Sequence, residues 1–75
     1  MSQDLIGCIG TVVHRTQGAD GMGEVSLKVH GCRAIYFAWS KDPLPVGQTV
    51  LVIEARGNRT VVVEPWDGLT LEQLL

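Results

Sequence analysis

Residues 48–65 read QTVLVIEARGNRTVVVEP, and this stretch decides the fold. Two runs rich in β-branched residues flank the pair Gly57-Asn58, which is typical of a β-hairpin. Glycine at the first turn position accepts the positive φ that a type II′ turn requires, and Asn tolerates the left-handed region. The register that follows from this turn pairs Ala55 with Thr60, Ile53 with Val62, Val52 with Val63 and Leu51 with Glu64.

The two faces of this hairpin differ in their side chains, because successive residues of a strand point to opposite sides. The predicted core face carries Val50, Val52, Val61 and Val63, with Glu54 near the turn. The other face carries Thr49, Leu51, Ile53, Ala55, Thr60, Val62 and Glu64. Since the middle of the second face is also apolar, we expect that another part of the chain or a partner covers it.

Length and composition limit the classes of protein that need consideration. A chain of 75 residues forms one domain with a modest core. The hydrophobic content of 45% is that of a folded domain, and the net charge of −2 argues against binding nucleic acid through a broad basic surface. No apolar run approaches the roughly 20 residues of a membrane span, and no signal peptide opens the chain. We expect the chain to be soluble as given.

Three further strands are predicted before this hairpin. Residues 5–15 form the first, with Gly7 and Gly10 marking a bend or a close backbone approach. Residues 24–29 alternate cleanly between apolar and polar, and residues 32–39 follow a turn at His30-Gly31. The register of this turn pairs Val29 with Cys32, Leu27 with Ala34 and Val25 with Tyr36 on the core face. Residues 16–23 and 40–47 are connections rich in Gly or Pro.

Five short strands with a glycine-bent first strand predict an all-β fold, a small five-stranded antiparallel barrel of the OB-fold type. Periodicity alone does not separate it from an SH3-like barrel. The predicted organisation is a lead or linker at residues 1–4, the barrel at 5–65 and a C-terminal tail at 66–75. Thr70 and Gln73 fit a capping box, so the tail is a candidate short helix.

Four segments in a fixed order resemble the C-terminal soluble domain of NfeD-like membrane proteins. They are LIGCIGTV at 5–12, GEVSL at 23–27, PVGQTVLV at 45–52 and GNRTVVVEP at 57–65. The resemblance implies an OB-fold barrel without catalytic residues, which follows transmembrane helices absent from this chain. It also implies bacterial membrane organisation or membrane protease regulation with stomatin- or flotillin-type scaffolds, on the cytoplasmic side. The loop at 16–23 and the aromatic run at 36–39 depart from the family pattern.

The first candidate surface is a stripe on the outer face of the second and third predicted strands. It contains Ile35, Phe37 and Trp39, with Lys28 and Arg33 at its edge. An apolar stripe with cations beside it fits a protein contact, or cover by loops or the tail. The alternative is a freestanding OB-fold module that binds single-stranded nucleic acid or oligosaccharide here, since this face is a common ligand platform.

The second candidate surface contains Leu51, Ile53 and Val62 on the outer face of the hairpin. It predicts either self-association or a partner contact, and the competing interpretation is ordinary cover by the tail. Together, the two surfaces predict a protein partner, either a scaffold of the stomatin or flotillin type or a second copy.

No metal, cofactor or catalytic site is predicted. Cys8, His14, His30 and Cys32 lack the close spacing of a zinc knuckle, and the two cysteines are expected to be small buried hydrophobes. Gly18, Gly21 and Gly23 are not followed by the Lys and Ser or Thr of a phosphate-binding loop. Serine, histidine and carboxylate residues occur in no catalytic motif, so we expect no enzyme.

Overall fold

The computed structural model describes residues 5–66, which form five strands and one 3-10 turn. The strands are β1 (Ile9–His14), β2 (Gly23–Val29), β3 (Cys32–Ser40), β4 (Thr49–Arg56) and β5 (Thr60–Pro65), and the 3-10 turn is Gly18–Asp20. Residues 1–4 and 67–75 lie outside this part, and with them most of the predicted tail, including its candidate helix.

The strands close into a barrel in the order β1-β2-β3-β5-β4, with β4 returning to β1. Four of the five neighbouring pairs are antiparallel, and β3 with β5 is parallel. The all-β class and the small five-stranded barrel of OB-fold type are therefore confirmed. Closure pairs the strands that would otherwise be edges, which removes most free backbone donors and acceptors.

The core follows from the alternation of side chains along the strands. Its buried hydrophobic residues are Val12, Val25, Leu27, Ala38, Leu44, Val50, Val52, Val61 and Val63. The predicted core face of the β4–β5 hairpin is confirmed for its four valines, which are at most 1% exposed. It is wrong for Glu54, which is exposed and pairs with Val62, while Ala55 pairs with the buried Val61. Medium-sized β-branched side chains suit an interior as narrow as that of a small barrel.

Strand β1 begins at Ile9, not at residue 5 as predicted. Gly7 precedes the strand with a φ of 93°, so the chain turns there before β1 begins. Gly10 lies within β1, where an added Cβ would overlap the Ser26 carbonyl oxygen and the Leu27 side chain. The predicted close backbone approach is therefore confirmed at Gly10.

The turn of the β4–β5 hairpin differs from the prediction. Positive φ occurs at Asn58 (62°) and Arg59 (55°), whereas Gly57 is not in that region. The loop therefore has three residues, and Ala55 pairs with Val61 instead of Thr60. An irregularity between Val52 and Glu54 absorbs the shift, so that the predicted pairs Val52–Val63 and Leu51–Glu64 are confirmed while Ala55–Thr60 and Ile53–Val62 are wrong.

The β2–β3 hairpin has the predicted register, with Val29 opposite Cys32, Leu27 opposite Ala34 and Val25 opposite Tyr36. His30 and Gly31 both have positive φ, 53° and 82°, as a two-residue type I′ turn requires. Cys32 is exposed and Cys8 only half-buried, so the expectation of two buried cysteines is wrong. Cys32 points to the core side, but it lies at the end of a hairpin that is longer than the barrel.

This longer end is a two-stranded ribbon, residues 28–33. Strand β1 pairs with β2 only as far as Leu27, and β5 pairs with β3 only from Phe37 onwards. Arg59 braces the base of the ribbon, since its Nη2 donates to the Ile35 carbonyl oxygen at 3.1 Å. The Arg59 guanidinium also lies 4.9 Å from the centre of the Tyr36 ring, a cation–π contact.

The loop between β1 and β2 is fastened to the β3–β4 connection by Thr16, which is buried. The Thr16 Oγ1 lies 2.6 Å from the Ser40 Oγ and accepts from the Leu44 N–H at 2.8 Å. The Ser40 hydroxyl donates to the Asp42 carbonyl oxygen at 2.6 Å. These contacts hold the chain segments that follow β1 and β3 at one end of the barrel.

Candidate functional site

The outer face of β3 presents the apolar stripe predicted from the sequence. Ile35 is 45% exposed, Phe37 is 43% exposed and Trp39 is half-buried. They alternate along β3 with Ala34, Tyr36 and Ala38, which point to the barrel interior. The alternation explains how one strand serves both the core and the surface.

The parallel pairing of β3 with β5 joins the two predicted surfaces. Trp39 pairs with Val62, so these side chains lie side by side on the outer face. Val62 is followed on the same face by Glu64, which pairs with Leu51 of β4. Strand β1 extends the surface, because its Ile9 pairs with Leu51.

We call this continuous surface the outer band. Its members are Ile35, Phe37, Trp39, Val62, Ile53, Leu51 and Ile9. Ile9, at 47% exposed, was not predicted from the sequence. The alternation of side chains in β1 could have predicted this exposure. Because Val12 points inward, Ile9, three residues earlier, must point outward.

A shallow groove lies at the β4–β5 end of the outer band. Its volume is about 250 Å³, and Ile53 and Val62 form its apolar wall. Lys41, Asp42, Glu64 and Pro65 line the rest, with part of Val63. The groove can take a small apolar side chain with polar groups around it, as in the core and rim of a protein contact.

A wider cavity of about 410 Å³ lies between the β1–β2 loop and Phe37. His14, Arg15, Gln17, Met22, Gly23 and Glu24 line it together with Phe37. The His14 Nδ1 lies 2.9 Å from the Glu24 Oε1, so an imidazole–carboxylate pair is present. These lining residues include no Ser, Thr or Cys that could serve as a hydroxyl or thiol nucleophile.

The predicted cations lie at the far end of the β3 stripe. Lys28 and Arg33 stand directly opposite each other on the outer face of the ribbon, and the Arg33 Nη1 donates to the Ser26 Oγ at 3.3 Å. Six residues of strand separate Arg33 from Trp39, a distance of roughly 20 Å. The structure therefore does not bring both cations together with Trp39 in one compact ligand site.

The four residues considered for zinc do not form a metal site. Within residues 5–66, no group of three or more His, Cys, Asp or Glu side chains is placed to hold a metal ion. His14 instead contacts Glu24. In the same part of the chain, no helix is long and apolar enough to cross a membrane.

Comparison with known proteins gives consistent matches. The family model of the NfeD C-terminal domain matches residues 9–64. The soluble domain of the NfeD protein YuaF from Bacillus subtilis is 33% identical, with a TM-score of 0.70, over 83% of this chain and 74% of that one.

Two further solved structures are similar. The C-terminal domain of stomatin operon partner protein 1510-C from Pyrococcus horikoshii is 30% identical, with a TM-score of 0.64, over 87% of this chain and 92% of that one. The soluble domain of a Corynebacterium glutamicum membrane protein implicated in regulation of membrane protease activity shares the fold at 23% identity and a TM-score of 0.59, over 81% and 90% of the chains. No curated protein matches the sequence.

Proposed function

The chain belongs to the NfeD C-terminal domain family, and we propose that it is a non-enzymatic module that binds a protein partner through the outer band. The observation that carries this proposal is the continuity of the band around the barrel. On the outside of the barrel, the apolar pairs Trp39–Val62 and Ile9–Leu51 join β3 to β5 and β1 to β4, and Ile53 and Val62 line one groove between β4 and β5. The carboxylates Glu54 and Glu64 stand opposite Val62 and Leu51, so acidic groups interrupt the apolar surface. An apolar surface with polar groups around it is typical of a protein-binding site.

The chemistry of the outer band favours a protein over a small molecule or a nucleic acid. Four of its side chains, Ile9, Ile35, Phe37 and Ile53, are between 43% and 47% exposed. The three isoleucines among them are aliphatic, so they gain free energy when they leave water but offer no stacking surface for bases. Trp39, the largest aromatic residue of the band, is half-buried beside Val62 and distant from the ribbon cations.

We propose a scaffold of the stomatin or flotillin type as the partner, with a second copy of this chain as the alternative. Support comes from the similar Pyrococcus horikoshii domain, which is a stomatin operon partner. In this proposal the chain is the soluble end of an integral membrane protein. It lies on the cytoplasmic side and acts in membrane organisation or membrane protease regulation.

The test replaces one exposed residue of the outer band with a charge. Ile53→Glu and Phe37→Glu each place a carboxylate in the band at a side chain that is already exposed, so the fold should persist. Val46→Glu is the matched control, since Val46 is 64% exposed and lies outside the band. Each variant is co-expressed with the stomatin- or flotillin-type protein of the source organism, and complex formation is measured by co-purification and sedimentation.

A charge at the centre of an interface typically costs about 2 kcal/mol or more, so binding should fall about thirtyfold for the band variants and stay unchanged for Val46→Glu. Binding that survives both band substitutions would remove the outer band from the proposal. Sedimentation of the chain alone distinguishes the alternative, because a concentration-dependent dimer lost in Ile53→Glu identifies a second copy as the partner.

A further inference from the structure

The ribbon formed by residues 28–33 differs in charge from the rest of the chain. The segment 25–41 contains Lys28, Arg33 and Lys41 but no Asp or Glu, although the whole chain has a net charge of −2. We propose that the tip of this ribbon binds an anionic phospholipid surface, with Lys28 and Arg33 on the head groups.

The first support is the pairing of like charges. Lys28 and Arg33 are direct cross-strand partners, a geometry that destabilises a sheet when the charges are not compensated. The ion pairs within residues 5–66 are His14–Glu24 and Arg56–Glu54, and neither includes Lys28 or Arg33. The Arg33 contact, to the Ser26 hydroxyl, leaves its charge in place. An external anion would compensate both cations at once.

The second support is the shape of the ribbon. It has two strands with neighbouring backbones about 4.8 Å apart, and Lys28, His30, Cys32 and Arg33 are all exposed at its tip. A standard protein interface buries about 800 Å² on each partner, more than a narrow tip offers. A fluid bilayer surface instead yields around a protruding ribbon and accepts its cations among the head groups.

The third support is the separation of the charges along the chain. The five carboxylates of the described residues, Asp20, Glu24, Asp42, Glu54 and Glu64, all lie outside the segment 25–41. An anionic membrane therefore attracts the cations of the ribbon without a carboxylate in the same segment to oppose them.

The test is co-sedimentation of the 75-residue chain with vesicles at low ionic strength. The vesicles contain either equal parts of phosphatidylglycerol and phosphatidylcholine or phosphatidylcholine alone. Each cation near an anionic surface contributes about fivefold to the partition coefficient, so Lys28→Ala with Arg33→Ala should lower it about 25-fold.

The matched control removes two cations from the opposite end of the barrel. Arg15 and Lys41 are exposed and directly follow β1 and β3, so Arg15→Ala with Lys41→Ala changes the net charge equally. We expect this control to bind the anionic vesicles within about twofold of the wild type, since its cations lie outside the ribbon. An equal loss of binding in both double variants, or equal wild-type binding to the two kinds of vesicle, would overturn the proposal.

Cys32 provides a direct probe of the tip. An environment-sensitive dye on Cys32, in a Cys8→Ala background, should shift to the blue with the anionic vesicles, because the tip enters the interface. Sedimentation without this shift would mean that another surface binds, and would refute the assignment. If the chain binds a single-stranded oligonucleotide more tightly than the vesicles, and the Lys28 and Arg33 variant loses this binding, the proposal is overturned and the ribbon is a nucleic-acid-binding surface.

The proposal for the outer band and the proposal for the ribbon can be refuted independently of each other. Ile53 lies in the groove at the β4–β5 end of the outer band and not in the ribbon, so Ile53→Glu should leave vesicle binding intact. Removing Lys28 and Arg33 should leave complex formation with the protein partner intact.

Discussion

Replacing Thr16 with Val removes one hydroxyl from the centre of a buried hydrogen-bond chain while keeping the shape of the side chain. The Ser40 hydroxyl has a single proton, which it donates to the Asp42 carbonyl oxygen at 2.6 Å. Thr16 must therefore be the donor in the 2.6 Å contact with Ser40, and its oxygen accepts from the Leu44 N–H at 2.8 Å. Every donor and acceptor in this set of hydrogen bonds has a partner, and valine removes two of the bonds.

The expected loss of stability follows from these two breaks. The Leu44 N–H keeps its burial but has no acceptor in the variant, which costs about 1–3 kcal/mol. The lost hydrogen bond to Ser40 contributes about 1 kcal/mol, although Ser40 retains its bond to Asp42. Together, Thr16→Val should lower the free energy of unfolding by about 2–4 kcal/mol. For a domain of this size, that corresponds to a fall in Tm of roughly 10–30 °C.

Ser40→Ala should lower the free energy of unfolding by only about 1 kcal/mol. In this variant Thr16 still accepts from the Leu44 N–H, and its hydroxyl can donate to the Asp42 carbonyl oxygen, which lies 3.5 Å away in the native structure. Thr11→Val is the control, since Thr11 is exposed on β1 and should change stability by less than about 0.5 kcal/mol. Urea unfolding followed by tryptophan fluorescence measures all three. Thr16→Val no more destabilising than Thr11→Val would refute the hydrogen-bond account of this loop.

Three further substitutions test the barrel. Gly10→Ala should cost about 3 kcal/mol or prevent folding, because the added Cβ meets the Ser26 backbone, and thermal unfolding measures it. Gly57→Ala should be neutral or slightly stabilising in the same assay, since Gly57 lacks positive φ and its Cβ would meet open space. A loss of stability above about 1 kcal/mol would instead support the type II′ turn, in which Gly57 has positive φ. Leu27→Ala should cost about 2–5 kcal/mol by urea unfolding, because Leu27 is fully buried; a smaller loss would mean that the core collapses around it.

The two hairpins show where sequence reasoning succeeded and where it did not. In β2–β3 the pattern of Val25, Leu27 and Val29 ran unbroken into a two-residue turn, and a two-residue turn fixes the register of every following pair. In β4–β5 the pair Gly57-Asn58 suggested the same kind of turn, but Arg59 also adopts positive φ and adds one residue to the loop. A register irregularity at Ile53 compensates for this extra loop residue. Its position depends on the curvature of the barrel, which cannot be predicted from the local sequence.

The candidate surface was predicted in two pieces for a similar reason. Each piece came from alternation within one hairpin, which is local information. Their union depends on the parallel pairing of Trp39 with Val62, which joins strands separated by the whole of β4. The exposure of Cys32 likewise could not be predicted from the pattern of β3, because it results from the length of β3 relative to β5.

The length of β3 connects the two proposed surfaces. Strand β3 has nine residues, but β5 pairs with only the last four of them. The half of β3 that pairs with β5 carries Phe37 and Trp39 into the outer band, while the half that pairs only with β2 carries Ile35, at the end of the band, and Arg33, on the ribbon. A shorter β3 that matched β5 would remove the ribbon cations and Ile35 together. In that first half Tyr36 packs against the core, whereas Arg33 and Ile35 point outward, so the length of β3 serves the core on one side and the two proposed surfaces on the other.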